Sequence, residues 1–247
     1  MSIFYAGDVH GNVDAFHAIE TNAANINAVA IIQVGDFGIF WPDNKKAVAK
    51  YFDKRHRQGK LTIPWYFTDG NHEEHDVLDQ MWVDAGRPDV VEVAPNCFHV
   101  RRGTVIEIDG LTHLFCGGAA SVDRSEGFRE FIDSNGKRRR IWWPQEAPNK
   151  EELQLFFDNM EARKPDVVVT HDVPTCIDIY GDQRRGDPTA HGFKRILDMS
   201  THRPKRWFFG HHHLLEEWAS DYLFSFYCCG KDGAGWSWHE DKVTKKS

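Results

Sequence analysis

An excess of positive charge is missing from this 247-residue chain: 37 Asp and Glu stand against 30 Lys and Arg, a formal net charge of −7. That balance argues against bulk electrostatic binding to nucleic acid or an anionic membrane and leaves such contacts to a local basic patch. Long apolar runs are missing too, so neither a transmembrane helix nor a signal peptide is expected, and the first strand already starts at Ile3. Cysteine is sparse. The five residues (Cys97, Cys116, Cys176, Cys228, Cys229) are odd in number and include no Cys-x-x-Cys, which speaks against a disulfide framework and a zinc knuckle and fits a reducing cytoplasm. Low-complexity sequence is absent. With 41% apolar residues the chain is long enough for a sizeable core, and a single domain over 1–247 is expected.

What is present is one arrangement repeated. The apolar run Ile3-Phe4-Tyr5-Ala6 reads as a buried strand and is followed at once by Gly7-Asp8-Val9-His10-Gly11. Two positions apart, Asp8 and His10 would face the same side of an extended segment, as suits one metal ion. Asn12 is placed to cap a helix running to about Ala24. The apolar run 29–34 then ends in Gly35-Asp36, and after a helix over about 43–57 the run 62–67 ends in Thr68-Asp69-Gly70-Asn71-His72-Glu73. Strand alternating with helix implies a parallel sheet with right-handed crossovers, which gathers these polar termini along one edge.

Residues 74–84 read as a helix, after which the pattern changes. The β-rich segments 97–100, 104–108 and 111–116 are separated by Arg101-Arg102-Gly103 and Asp109-Gly110, a hairpin signal that is expected to begin a second, antiparallel sheet. Residues 121–148 form an irregular excursion expected to run over the surface. Between Arg124 and Arg140 it carries Arg124, Arg129, Lys137, Arg138, Arg139 and Arg140, and Trp142-Trp143-Pro144 follows. Order returns with a helix over about 150–163 and a strand ending at His171-Asp172-Val173-Pro174. Next come a helix near 190–199 and a strand ending at Gly210-His211-His212-His213. His211 and His213 would face one side of an extended segment and His212 the other. Strands near 215–219 and 222–227 are expected to complete the sheet, with 242–247 frayed.

Taken singly, each polar residue has an ordinary structural role open to it. Asp8 and Asp36 can cap a turn or helix, Asn71 can sit in a turn at positive φ, and His171 or His211 can be hydrogen-bonded under the sheet edge. Their joint placement at strand ends points to chemistry. Asp8-x-His10, Gly35-Asp36, Gly70-Asn71-His72-Glu73, His171 and Gly210-His211-x-His213, in this order, resemble the five motifs of the calcineurin-like metallophosphoesterases. The resemblance spans residues 7–213 and is specific as a set. It implies an α/β fold in which two mixed sheets form a sandwich flanked by helices. It also implies one metal ion held by Asp8, His10, Asp36 and His213, a second held by Asp36, Asn71, His171 and His211 with Asp36 bridging, and His72 as the catalytic histidine.

Oxygen and imidazole donors without thiolate independently suit borderline divalent ions, Mn²⁺ first, with Fe²⁺ or Zn²⁺ as alternatives. Two such ions clamp a phosphoryl group and furnish hydroxide for in-line attack on a phosphomonoester or phosphodiester, with His72 as proton donor or as a cation on equatorial charge. Asp69, Glu73, His75, Asp172 and His212 are read as structural. Glu73 and Asp172 would orient imidazoles.

Substrate is signalled by departures from the family pattern. The serine/threonine phosphatases of this superfamily carry Asp-Arg-Gly soon after Gly-Asp, whereas Phe37-Gly38-Ile39-Phe40-Trp41-Pro42 follows here, which makes protein phosphatase the runner-up. The segments 117–124 with Trp142-Trp143-Pro144, and 170–174, are similar to a bacterial and phage branch of unassigned activity, and His171-Asp172-x-Pro174 also resembles RNA lariat debranching enzymes. A nucleotide or nucleic-acid phosphodiesterase stays open, as does a metal-binding scaffold without chemistry. Arg124 and the 121–148 insertion are expected to act as a lid on a phosphorylated substrate. No membrane partner is expected, and the sequence does not speak to oligomeric state.

Overall fold

The computed structural model describes residues 2–41, 45–121, 130–132, 136, 138–179, 186–239 and 242–246. In chain order the elements are β1 (Ser2–Ala6), α1 (Val13–Asn25), β2 (Ala28–Gln33), α2 (Lys45–Arg57), β3 (Trp65–Phe67), α3 (His75–Asp84), β4 (Val90–Ala94) and β5 (Cys97–Val100). The hairpin β6 (Val105–Ile108) and β7 (Leu111–Cys116) follows, then β8 (Glu130–Ile132), β9 (Arg138–Arg140), α4 (Lys150–Arg163), β10 (Val167–Thr170) and α5 (Pro188–Met199). The chain closes with β11 (Arg206–Phe209), β12 (Leu215–Ala219), β13 (Ser225–Cys229), β14 (Gly235–His239) and β15 (Lys242–Lys246).

Two mixed sheets result, of order β15-β14-β1-β2-β3-β5-β4 and β12-β13-β11-β10-β7-β6. Their middles are parallel and their edges antiparallel. The strands read as unbroken apolar runs because both faces of each sheet are covered. Ile3, Tyr5, Ala30, Ile32, Val167, Val169 and Phe208 meet between the sheets. Their alternates Phe4 and Ile31 face α1 and α2, while Val168 and Trp207 face α4 and α5. Asn12 caps α1 as expected, its side chain accepting from the Asp14 N–H at 3.0 Å.

Several expectations are corrected. Cys97–Val100 does not open the second sheet: β5 pairs parallel with β3 inside the first and antiparallel with β4, a strand not expected. The Asp109-Gly110 hairpin forms, both residues at positive φ, but β7 also pairs parallel with β10, so the second sheet is mixed. Residues 242–246 are not frayed, and Ser247 lies outside the described residues. Gly235–His239 and Lys242–Lys246 form a ribbon whose first strand zips onto β1, covering what would otherwise be an exposed edge. Of the two strands only Lys242–Lys246 is mostly polar; Gly235–His239 buries Trp236 and Trp238 between the sheets, with Val243 packed against them. Helix α5 begins at Pro188, two residues early, because Asp187 caps it through the Thr189 and Ala190 N–H groups. The start of α2 near 43 falls outside the described residues. Among the described residues no helix is long and apolar enough to cross a membrane.

Candidate metal centre

Every motif residue sits just past the carboxyl end of a parallel strand. Asp8 and His10 follow β1, Asp36 follows β2, Asn71 and His72 follow β3, His171 follows β10, and His211 and His213 follow β11. Backbone hydrogen bonds tie the first of these turns to the second and the fourth to the fifth. The Asp36 carbonyl accepts from Val9 N–H at 3.0 Å and His10 N–H at 2.8 Å, and the His171 carbonyl accepts from Gly210 N–H at 2.9 Å. His10, Asp36, His211 and His213 all have positive φ, between 48° and 65°. Extended alternation therefore does not bring the donors together, contrary to the expectation for Asp8-x-His10 and His211-x-His213. Left-handed turns do, at a conformational cost that side chains other than glycine rarely accept away from functional sites. Asn71 is not among the positive-φ residues, so it does not serve as that kind of turn residue.

Asp8, His10, Asp36 and His213 offer ligand atoms that all lie within 4.8 Å of one another. His10 Nε2 and His213 Nε2 are 3.1 Å apart, and His213 Nε2 is 3.1 Å from Asp8 Oδ2. Asp8 is fully buried, yet Oδ2 has no hydrogen-bond donor among the described residues. A buried carboxylate oxygen left in that state is costly unless a cation completes it.

On the other side of Asp36, His171 Nε2 lies 3.3 Å from Asp36 Oδ1 and 3.2 Å from Asn71 Oδ1. His171 Nδ1 is 3.0 Å from the Val34 carbonyl, which only accepts, so Nδ1 carries the proton and the Nε2 lone pair faces two oxygens. Such an arrangement calls for a positive charge at Nε2. Burial opposes one, but the Asp36 carboxylate outweighs it and pulls His171 up to about 10. The His211 ring stands 5.1 Å from that of His171, and burial pushes His211 down to about 4, leaving a neutral donor. The Asp8 carboxylate beside it holds His213 above the ordinary histidine range. The pull on protons measures the negative potential that the cluster offers a cation, and its oxygen and imidazole donors fit borderline divalent ions.

Asp36 divides its oxygens between the two groups. Oδ1 faces His171, while Oδ2 lies 3.8 Å from His10 Nε2. His72 stands over the same carboxylate: its N–H donates to Oδ1 at 2.7 Å and its Nδ1 to Oδ2 at 3.0 Å. The His72 side chain is 35% exposed.

Three supports were not legible as such. Gln33, buried at the end of the apolar β2, donates to the Gly7 and Gly35 carbonyls and accepts from the Gly35 N–H, locking the first two turns. A lone amide closing an apolar run was the available signal. Glu73 does not orient an imidazole. Its carboxylate accepts from the Phe37 and Gly38 N–H groups at 2.6 and 3.0 Å and so holds the loop that carries Asp36. Burial, helped by Asp36, pushes Glu73 up to about 8. Arg102, seen in sequence only as part of a charged turn, is 8% exposed and paired with Asp69, with Glu152 at 3.0 Å as a second partner. Asp172 does hold an imidazole, that of His212 at 3.1 Å, which belongs to neither donor group.

Arg124, proposed from sequence as a substrate contact, lies outside the described residues, as do Arg129 and Lys137. The excursion is not purely superficial. Trp143 is 2% exposed, its indole N–H donates to Asp76 Oδ2 at 3.1 Å, and the Arg140 guanidinium lies 5.3 Å from its ring centroid.

The family model for calcineurin-like phosphoesterases matches residues 1–215. The chain is 29% identical over 155 residues to the lariat debranching enzyme of Schizosaccharomyces pombe, a match that takes in 62% of this chain. That match spans 31% of the relative's own length. Among solved structures, a protein of Thermus thermophilus superposes with a TM-score of 0.57 at 14% identity, covering 100% of this chain and 98% of that one. A provisionally assigned 5′-nucleotidase of Staphylococcus aureus gives 0.50 at 15% identity, with 100% of this chain and 52% of that one covered. At these identities the structural likeness concerns the fold alone.

Proposed function

The chain belongs to the calcineurin-like phosphoesterase family, and on that premise we propose that it is a dinuclear-metal-dependent phosphoesterase, acting from one domain with an insertion at 121–148. Asp8, His10, Asp36 and His213 would hold one ion, and Asp36, Asn71, His171 and His211 the other. The observation that carries the reading is the division of the Asp36 oxygens, one toward His171 and one toward His10. Mn²⁺ is the first choice for this donor set, with Fe²⁺ or Zn²⁺ as alternatives. When bound, such ions supply Lewis-acid charge at the phosphoryl oxygens and acidify a water molecule at neutral pH.

The protein's own groups do the rest. Water adds to phosphorus opposite the ester oxygen and gives up a proton to solvent, the bond to that oxygen breaks, and the imidazolium form of His72 delivers its Nε2 proton to it, leaving a neutral ring whose Nδ1–H Asp36 holds. Glu73 and Gln33 keep the two loops in register.

A nucleotide or nucleic-acid phosphoester is the substrate class, supported by the likeness to a lariat debranching enzyme and by the absence of an arginine from Phe37–Trp41 where protein phosphatases carry one. A cytoplasmic location goes with this reading. The test is hydrolysis of a chromogenic phosphodiester and monoester by chelated protein with and without added Mn²⁺. Metal-dependent turnover of either supports the reading. Turnover of neither, with metal bound, makes the protein a scaffold of the same fold.

A further inference from the structure

His10, His72 and His213 are the exposed side of the donor cluster, with 35%, 35% and 40% of their side chains accessible, whereas Asp8, Asp36, Asn71 and His171 are buried. An ester enters from that side, and Trp41 stands there. Its indole is partly exposed and meets the His72 ring edge to face, the centroids 5.1 Å apart and the planes at 79°. Behind it, at 6.0 Å, is the buried Trp143, pinned by Asp76 and Arg140.

The loop that presents Trp41 is fixed. Trp41 N–H donates to the Gly38 carbonyl at 3.3 Å, and Gly38 N–H donates to Glu73. Gly38 has φ +70° and lies so close to the first motif that a Cβ there would come within 2.5 Å of Gly11 N. Burying large apolar rings is the ordinary reason for an aromatic in such a loop, and Phe37 serves it by stacking on Phe67 at 4.3 Å. Trp41 instead keeps part of its surface in solvent beside the histidine that would face the leaving oxygen.

Deepening the phosphoesterase reading, on which this rests, we propose that Trp41 is the platform of an aromatic subsite that stacks the nucleobase of a nucleoside phosphoester on the leaving-group side of His72. A planar base suits the indole face and needs no hydrogen-bond readout, so the subsite accepts any base.

The test compares ligands that differ only in the base. Calorimetry would measure binding of the hydrolysis-resistant methylenephosphonate analogues of AMP and of ribose 5-phosphate to Mn²⁺-loaded protein. The wild type should bind the adenosine analogue roughly 10- to 100-fold more tightly, the range for one base stacked on an aromatic side chain. Trp41→Ala should bring that ratio near one with unchanged metal content, and Trp41→Phe should keep most of it. A ratio near one in the wild type, or a ratio that survives Trp41→Ala, overturns the subsite. Should Trp41→Ala lose metal or fold, the Trp41→Phe ratio and a Trp41→Leu variant decide by the same criterion. Binding is read separately from turnover: a retained base ratio without hydrolysis of any ester defeats the phosphoesterase reading alone. Hydrolysis without a base ratio defeats the subsite alone.

Discussion

Tyr5 in β1 and His113 in β7 join the two sheets across their shared core, the phenol oxygen 2.8 Å from His113 Nε2. His113 Nδ1 lies 2.9 Å from the Leu111 carbonyl, which only accepts, so the neutral ring carries its proton on Nδ1 and accepts a hydrogen bond from the Tyr5 hydroxyl at Nε2. Burial pushes His113 down to about 4.

A histidine whose folded pKa is depressed stabilises fully above its unfolded value of about 6.5 and loses that contribution as pH falls toward 4. Between pH 7 and 5 the loss should be about 2 kcal/mol from this residue. Urea unfolding at the two pH values should show the wild type losing about that much more than His113→Gln. Parallel losses in both proteins would mean that His113 is not held neutral.

Metal content should separate the donors. Chelated protein reloaded with Mn²⁺ should approach two ions per chain if Asp36 serves both groups. Asp36→Asn should then lose more metal than His213→Ala or His211→Ala, each of which should retain about one ion. Elemental analysis after gel filtration reads this directly, and equal depletion in the three variants would contradict a bridging Asp36.

His72 touches Asp36 but is assigned to substrate. His72→Ala should keep its metal while kcat falls by roughly 10²- to 10⁴-fold, the usual loss for a positioned general acid. The fall should be smaller for a nitrophenolate ester, whose leaving group needs no proton. A metal-depleted variant would move His72 into the ligand set.

The sheet centres were readable because their residues carry period and punctuation together: Ile3–Ala6 before Gly7, Ala28–Gln33 before Gly35, Val167–Thr170 before His171. The donors were readable because they sit next to those stops. What escaped depends on partners distant in sequence. Lys242–Lys246 is polar and becomes a strand only through its pairing with Gly235–His239, which β1 anchors. Glu73 looks like any glutamate beside a histidine until its oxygens are found on Phe37 and Gly38, in a loop ahead of α2. Arg102 reads as a solvated turn residue because a charge next to glycine usually is one.

Glu73 offers a check on how the Asp36 loop is held. Glu73→Gln removes one of the two acceptor oxygens, so the Phe37 or Gly38 N–H is left buried without a partner, at a cost of about 1–3 kcal/mol. Mn²⁺ affinity should drop with it although no donor has been touched. Unchanged affinity, measured by chelator competition, would show that backbone bonds alone fix the loop.

Arg102 carries the largest stability prediction. It bonds Asp69 and Glu152 and donates to the Gln145 carbonyl at 2.6 Å, so it ties the loop after β3 to the return of the excursion and to α4. Asp69 is 4% exposed and immediately precedes Gly70-Asn71-His72, and its carbonyl accepts from Gly118 N–H at 2.8 Å. Burial opposes its ionisation, but the Arg102 guanidinium holds its carboxyl well below the ordinary range. Arg102→Met would leave that carboxylate buried beside His99 and His75, both of which burial keeps depressed and so poorly able to replace the lost charge. Breaking one side of a buried pair costs roughly 3–5 kcal/mol, about 10 °C in Tm for a chain of this size. The companion change Asp69→Asn in the same chain removes the orphaned charge and should recover much of the loss, whereas Asp69→Asn alone leaves the guanidinium with Glu152 and should cost less than Arg102→Met. Thermal unfolding of the three variants gives the coupling energy. Additive effects would show that Arg102 and Asp69 are neighbours without being partners.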